Sequence, residues 1–568
     1  MHAHTLDFVI IGFYIFLMGG LSIFASRFTK NTSDYFKVGS KLPWWLAGTS
    51  AFMSAFSAWT FTGAAGVAYS DGLVIFSLYA GNVFAFVIGY FLATPWRRTR
   101  SITVMQFVGE RFDVLTHQSL SWITIPKQII IGSTWLYALG IFMSGAFNVS
   151  VATTILIAGA AIVIYTAIGG FLAVNVIDTA QFIILLPISI IIAIMCVVKL
   201  GGIGFLAESG SGQGLQFFTP KYSIIYIIAW FIHSTINYNQ AGSATRYFAV
   251  KNEREAKRVA KWAAFLFLVG PIFWFIPPIA AKHMLPDLAL MFPNLSKPGE
   301  ASYVAMSLKL LPPGIFGILL TAMFSATMSS LDTSLNRNAG IITRDIYLTI
   351  FHKNASEKLL VLLARIFTLV FGASVIILAM FFSRLKGFGV FEIMVQLGAL
   401  HSIPTGIPLI LGLIYKRTPS WSGFFTFTIG LVAATIGKFV YHWTYPEQVL
   451  YIAPLCIFLF IVPGLFFKGG EKYKRRRDTF FKKLNTPVDE QKEISYYNID
   501  RISHFQVIGI VTTLLGLFVV IISFFINLNN DRLISIGIGG LYLIIGLILF
   551  IFGKIQTKKM KVKYEKQA

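Results

Sequence analysis

Residues 324–340 read FSATMSSLDTSLNRNAG, an apolar membrane stretch that abruptly carries Ser325, Thr327, Ser329, Ser330, Asp332, Thr333 and Ser334. Hydroxyls and a carboxylate are costly at membrane depth, so their presence implies a role. At helical spacing Ala326, Ser329, Ser330 and Thr333 fall at i, i+3, i+4 and i+7, which makes one face, and Asp332 sits beside it. A face of hard oxygen ligands suits a small hard cation, and an intramembrane carboxylate marks a functional site by default.

The rest of the chain supplies the membrane. Of 568 residues, 56% are hydrophobic and only 12% charged, and the mean hydropathy is +0.72. Apolar runs long enough to cross a bilayer lie at about 8–26, 43–69, 73–95, 120–145, 149–168, 176–199, 222–247, 262–283, 312–343, 359–383, 388–414, 419–440, 449–467, 506–527 and 533–553. An all-α, multi-pass protein of about fifteen helices is predicted. The first run has neither a basic segment before it nor a small-residue cleavage pattern after it, and reads as a retained span. Cys196 and Cys456 lie inside apolar runs and read as small core residues, not as a disulfide or metal pair.

The net charge of +23 does not imply nucleic acid, because the basic residues are not spread along a soluble face. They sit in alternate loops, at 27–42, 97–118, 246–261, 344–358, 416–417, 468–505 and 554–568, which hold about 35 of the 47 Lys and Arg residues. That pattern predicts an outer N-terminus and a cytoplasmic C-terminus in a cell membrane. The run KYKRRRD, 472–478, reads as a positive-inside anchor, with contact to anionic membrane lipid as the alternative. The segment 468–505 is too short and too charged for a soluble enzyme or sensor domain, so function is expected within the membrane.

Two spans differ from lipid-facing helices. WLAGTSAFMSAFSAWTFTGAAGVAYSDG, 45–72, is dense in small residues, and HSTINYNQAGSATRYF, 233–248, carries His233, Ser234, Thr235, Asn237, Asn239 and Gln240 in consecutive turns. Small residues permit tight packing or a break in the helix. Interrupted helices in corresponding positions of two halves point to an inverted-repeat transporter.

The string DYFKVGSKLPWW, 34–45, resembles the start of the sodium/solute symporter family, the group of sodium-coupled glucose, proline and sialic acid carriers. Five further strings agree in order: ITVMQFVGERF at 102–112, YTAIGGFLAVNVIDTAQ at 165–181, TRYFAVKNEREAKR at 245–258, MSSLDTSLNRNAGIITRDIY at 328–347 and GLIYKRTPSWSG at 412–423. The resemblance covers roughly 6–465 and implies a ten-helix core of two inverted five-helix repeats, at 43–199 and 222–417. One extra helix and a loop precede it at 1–42. Extra helices follow at 418–467, a basic cytoplasmic loop at 468–505, and two further helices with a tail at 506–568.

By the same resemblance, a first sodium (Na+) site uses the carbonyls of Met53, Phe56 and Ala326 with the hydroxyls of Ser329 and Ser330. Five oxygens without a full charge suit a monovalent ion that must leave on each cycle; back-bonding to the preceding turn is the alternative for the two serines. Asp178 aligns with an aspartate that some relatives use for a second sodium, and the other ligands would be Asp332 and Thr333. Relatives usually carry Ser, Thr or Ala where Asp332 stands. A second cation, a shared proton, a pairing with Lys127 or Arg337, and a hydrogen-bonded structural carboxylate all stay open there.

For the solute, the resemblance implies a cavity between the first, third, sixth and tenth core helices. Ser57, Trp59 and Thr60, Asn237 and Asn239, and Gln396 are the candidate contacts. SAWTFTG, 57–63, reads closer to the proline carriers, although their aspartate before that turn is Ala55 here, and Gln396 aligns with a glutamine of the glucose type. Where the sialic acid carrier has an arginine on the third helix this chain has an apolar residue near Ile131, with Lys127 one turn away, which disfavours a large acidic sugar. The expectation is a sodium-coupled symporter of an amino acid or small carboxylate working by alternating access, with a sugar as the alternative. An enzyme is not expected, since HExxH, CxxC and a Ser/His/Asp set are all missing. A sodium-dependent sensor or channel is the reading from another class.

Overall fold

The computed structural model describes residues 3–26, 42–53, 56–208, 215–293, 295, 297–385, 389–493, 504–526 and 529–565; within these, the side chains at 18, 21–26, 168–178, 241–243, 491–492, 504 and 556–565 lie outside the description. Every regular element among the described residues is a helix. Helix α1 (Thr5–Ser26) comes first. The first repeat holds α2 (Trp44–Met53), α3 (Ala58–Phe61), α4 (Gly63–Asp71), α5 (Val74–Arg98), α6 (Val104–Arg111), α7 (Val114–Phe147) and α8 (Val151–Lys199). The second holds α9 (Ile224–Asn239), α10 (Ala241–Phe248), α11 (Glu253–Met284), α12 (Ser302–Leu310), α13 (Ile315–Gly340), α14 (Glu357–Phe382) and α15 (Val390–Ile414). Outside them are α16 (Ser422–Phe439), α17 (Tyr445–Ile461), α18 (Glu471–Asn485), α19 (His504–Ser523) and α20 (Asn529–Glu565).

The two repeats match in the order of their first elements, and differ at their ends, where the first has the single helix α8 and the second has α14 and α15. Each opens with a broken span, α2 to α4 in one and α9 to α10 in the other. Each continues with a long helix (α5, α11), a short one (α6, α12) and another long one (α7, α13). Local chemistry sets the starts: Thr103, Asp113, Asn252 and Ser356 each accept a backbone N–H from the first turn of α6, α7, α11 and α14.

Among the described residues eleven helices are long and apolar enough to cross a membrane, and Thr5–Leu17 and Val151–Ala167 are shorter apolar stretches. The expected spans 149–168 and 176–199 are one continuous helix of 49 residues, α8. Straight, such a helix would run about 74 Å at 1.5 Å per residue, more than twice the bilayer core.

At one end of the bundle the Ala3 N–H donates to the Ala146 carbonyl at 3.1 Å, beside the last turn of α7. Asp7 Oδ1 accepts the N–H groups of Gly314 and Gly317, each at 2.7 Å, at the start of α13. Gly317 has to be glycine for this crossing, since a Cβ there would lie 2.7 Å from Asp7 Cα. At the other end the basic loops meet. Arg98 pairs with Glu253 at 2.7 Å, Arg100 with Glu493 at 2.6 Å, Lys416 with Asp478 at 3.0 Å and Lys483 with Glu110 at 2.7 Å. α18 seats Phe480, Phe481 and Leu484 inward there, so KYKRRRD belongs to a helix docked on the core. Loops expected on one side thus share one side.

Candidate functional site

Helix α13 is buried along its whole apolar window, which explains its composition. Surrounded by protein, its polar groups need partners on every side, and many find them. The Ser325 hydroxyl bonds Tyr14 and the Thr321 carbonyl. Thr327 Oγ1 accepts the Ala58 N–H at 3.0 Å. The Ser334 hydroxyl donates to Gln128 Oε1 at 3.2 Å, and Asn338 Nδ2 to the Ile125 carbonyl at 3.3 Å.

The break between α2 and α3 lies against this helix. α2 ends at Met53, whose carbonyl accepts the Phe56 N–H at 3.1 Å, and Ser54 and Ala55 fall outside the described residues. Ser57 then caps α3 by accepting the Trp59 N–H at 3.3 Å. Across the gap the Ser330 hydroxyl donates to the Phe56 carbonyl at 2.8 Å, between residues 274 apart in sequence. Ala326 is fully buried one turn earlier. Ser329 Oγ, buried in the same place, has no hydrogen-bond partner. Of the five residues expected at the first sodium site, Ser330 meets Phe56 directly, Phe56 bonds Met53, and Ser329 does not bond back to its own helix. A buried hydroxyl without a partner loses about 1–3 kcal/mol.

The residues expected at a second cation site are engaged differently. The Thr166 hydroxyl from α8 donates to Asp332 Oδ1. Arg246 NH2 donates to Thr333 Oγ1 at 3.0 Å, so a guanidinium stands beside that hydroxyl. The side chain of Asp178 lies outside the described residues. Lys127 bonds Gln240 and Thr405 and not Asp332. Among the described residues no group of three or more His, Cys, Asp and Glu side chains is placed to hold a metal, and Cys196 and Cys456 are free and buried.

Next to the break is a cavity of about 140 Å³, bordered by Ser57 and Trp59, by Lys127 and Ile131 on α7, by Asn237 on α9, and by Gly398 on α15. Its walls include the expected first, third, sixth and tenth core helices, and to these Asn82 from α5, Met105 from α6 and Arg337 from α13 are added. On the measure of about 10–15 Å³ per water it has room for roughly ten waters. Trp59 packs against Phe391, ring centroids 5.7 Å apart at 17°, and Phe391 against Trp230 at 6.1 Å and 13°.

Thr60, Asn239 and Gln396 are not in that wall. Thr60 accepts from Tyr79 at 3.2 Å, and Asn239 Nδ2 clamps α9 to α5 by donating to the Ala85 carbonyl at 2.7 Å. Gln396 is half-buried on α15 with its neighbours Val395 and Gly398 nearer the cavity. His233 bonds Tyr445 through Nδ1 at 3.1 Å, yet its Nε2 is unpartnered beside the cavity, so it is only half satisfied. Lys127, Gln240 and Thr405 were legible as wall residues only through the rule that an intramembrane charge marks a site.

The first turn of α15 carries its own device. Glu300, 4% exposed, accepts the Val390 N–H at 2.7 Å from outside the helix, while Lys297 pairs with Glu392 at 2.7 Å. Burial first, and Glu392 nearby, push the Glu300 carboxyl up to about 8, against the Lys297 charge and the backbone donors. Because the folded value lies above the unfolded one, the native state holds an extra proton, and this contribution is lost as pH rises through about 8. Melting temperatures should fall as pH rises from the ordinary carboxyl value of 4.5 to about 8 and level off above it, and Glu300→Gln should flatten the fall; superimposable profiles would contradict it.

Comparison with known proteins agrees with this architecture. The model of the sodium:solute symporter family matches residues 35–430. The osmoregulated proline transporter OpuE of Bacillus subtilis is 25% identical over 443 residues, covering 75% of this chain and 87% of that protein. The sodium/glucose cotransporter of Vibrio parahaemolyticus is 26% identical over 480 residues, covering 78% and 88%. The solved structure of a Na+-coupled sialic acid symporter superposes with a TM-score of 0.71 at 20% identity over 82% of this chain and 98% of that one, a likeness of fold. These relatives are transporters and not enzymes, and with a family match over most of its length this multi-pass chain belongs to the sodium:solute symporter family.

Proposed function

We propose that the chain couples the inward movement of one sodium ion to uptake of a small organic solute by alternating access. The observation that carries this is the Ser330 hydroxyl against the Phe56 carbonyl, with Ser329 Oγ buried and unpartnered beside it. An ion held by Met53, Phe56, Ala326, Ser329 and Ser330 joins the broken helix of the first repeat to α13 of the second. It therefore favours the state in which the cavity beside Ser57 and Trp59 is complete. Ion and solute then raise each other's affinity by equal factors. The membrane potential contributes about 2.3 kcal/mol per charge per 100 mV, against about 1.4 kcal/mol for each tenfold step of solute. One ion thus suffices for substantial accumulation.

A single ion is favoured because Arg246 already sets a fixed cation at Thr333. The cavity size supports an amino acid or small carboxylate over a large acidic sugar. The side bearing the basic loops is cytoplasmic, which leaves the N-terminus outside.

A protein-only assay tests the ion site. A ligand at 100 times its Kd stabilises by about 2.7 kcal/mol, so the purified protein should melt several degrees higher in sodium chloride than in equimolar choline chloride. Identical melting in both salts would remove the site.

A further inference from the structure

The cavity walls contain two basic side chains, Lys127 and Arg337, and no Asp or Glu. Lys127 is 6% exposed, and its ammonium meets only uncharged acceptors, Gln240 Oε1 at 3.1 Å and Thr405 Oγ1 at 3.2 Å. Arg337 has a buried Nε without a partner. Charged side chains at membrane depth normally pair with one another or serve a transport path, since desolvating an unpaired charge costs several kcal/mol. Both of these side chains line the space where a solute would sit, and neither is neutralised by protein.

A second cavity of about 40 Å³ lies beside the first. Arg337 and Met105 border both, and Thr103, Thr333 and Asn336 are among the polar residues of the second. Asn336 is 2% exposed, and neither its amide nitrogen nor its amide oxygen has a partner. Thr103 starts α6 on the side of the basic loops and bonds Asp345 at 2.8 Å, near the far end of α13. A guanidinium and an unpartnered amide thus face a small chamber between the solute cavity and that side.

We propose that the transported solute is an organic anion whose carboxylate is received by Lys127 and then by Arg337 with Asn336 on its way to the cytoplasmic side. The inference deepens the function proposed above and rests on it for the direction of movement. An ammonium offers a carboxylate a charge-assisted hydrogen bond without demanding one geometry, and a guanidinium fork with an adjacent amide offers several. Neutral polyols would leave both charges unpaired.

The test compares acids with their own amides on the wild-type protein, so it does not depend on a variant folding. Lactate against lactamide and propionate against propionamide, with glucose as a neutral control, are titrated in sodium chloride with melting temperature as the readout. At least one acid should stabilise at concentrations about tenfold or more below its amide, with glucose inert. Lys127→Met should abolish the preference and Lys127→Arg keep it. Arg337→Gln, which removes the second basic group, should slow the acid's sodium-driven uptake about tenfold. An amide or glucose matching every acid, no acid stabilising, or Lys127→Met retaining the preference overturns the proposal. Stabilisation by sodium without solute is read in the same plates, so failure of the anion assignment is distinguishable from failure of the sodium site.

Discussion

Replacing Ser329 and Ser330 together by alanine is expected to raise the sodium concentration for half-maximal stabilisation by roughly 100-fold, about 1.5 kcal/mol for each hydroxyl that meets a charge. The two serines contribute differently. Ser330 also holds the Phe56 carbonyl at 2.8 Å, so its loss frees the broken end of the first repeat. Ser329 holds no protein group, so Ser329→Ala should cost sodium affinity with little change in stability measured in choline chloride. Ser334→Ala is the control: its hydroxyl turns to Gln128 on α7, and its sodium titration should match the wild type. A double variant with wild-type sodium dependence would dissociate the ion from α13.

Asp7→Ala is expected to destabilise the protein by about 3 kcal/mol, since two backbone donors at the start of α13 lose a charged acceptor in a buried place. Asp7 is 1% exposed and takes the Gly314 and Gly317 N–H groups on one oxygen, leaving the other for the His4 N–H at 2.7 Å. Asp7→Asn keeps an amide oxygen for the two glycines and should lose roughly half as much. Because the anchor lies at the far end of α13 from the break, sodium should still raise the melting temperature of Asp7→Ala by the wild-type increment. A variant as stable as the wild type would mean that α1 does not fix α13.

Hydrophobic runs and two broken spans were legible because membrane crossing leaves a coarse, local signal of about twenty residues. The join within α8 was not, since 149–168 and 176–199 carry separate apolar maxima whether or not the backbone between them stays helical. The approach of Ser330 to Phe56 spans 274 positions, and only the family resemblance brought it within reach. Polar residues on the helices flanking the cavity were harder. Asn237 faces the cavity and Asn239, two residues on, clamps α5, a distinction that depends on which neighbour each side chain meets. Asp7 was not singled out by sequence, because it precedes the first apolar run and its partner is the backbone of a helix three hundred residues away.

The central claim is coupling of solute movement to sodium, and accumulation in proteoliposomes measures it most directly. Vesicles loaded with potassium and diluted into sodium should concentrate a labelled acid from the panel above its external level, and should lose that accumulation when sodium is equal on both sides or when Ser329 and Ser330 are alanine. Uptake of every panel member at the same rate and extent with and without the sodium gradient would contradict it.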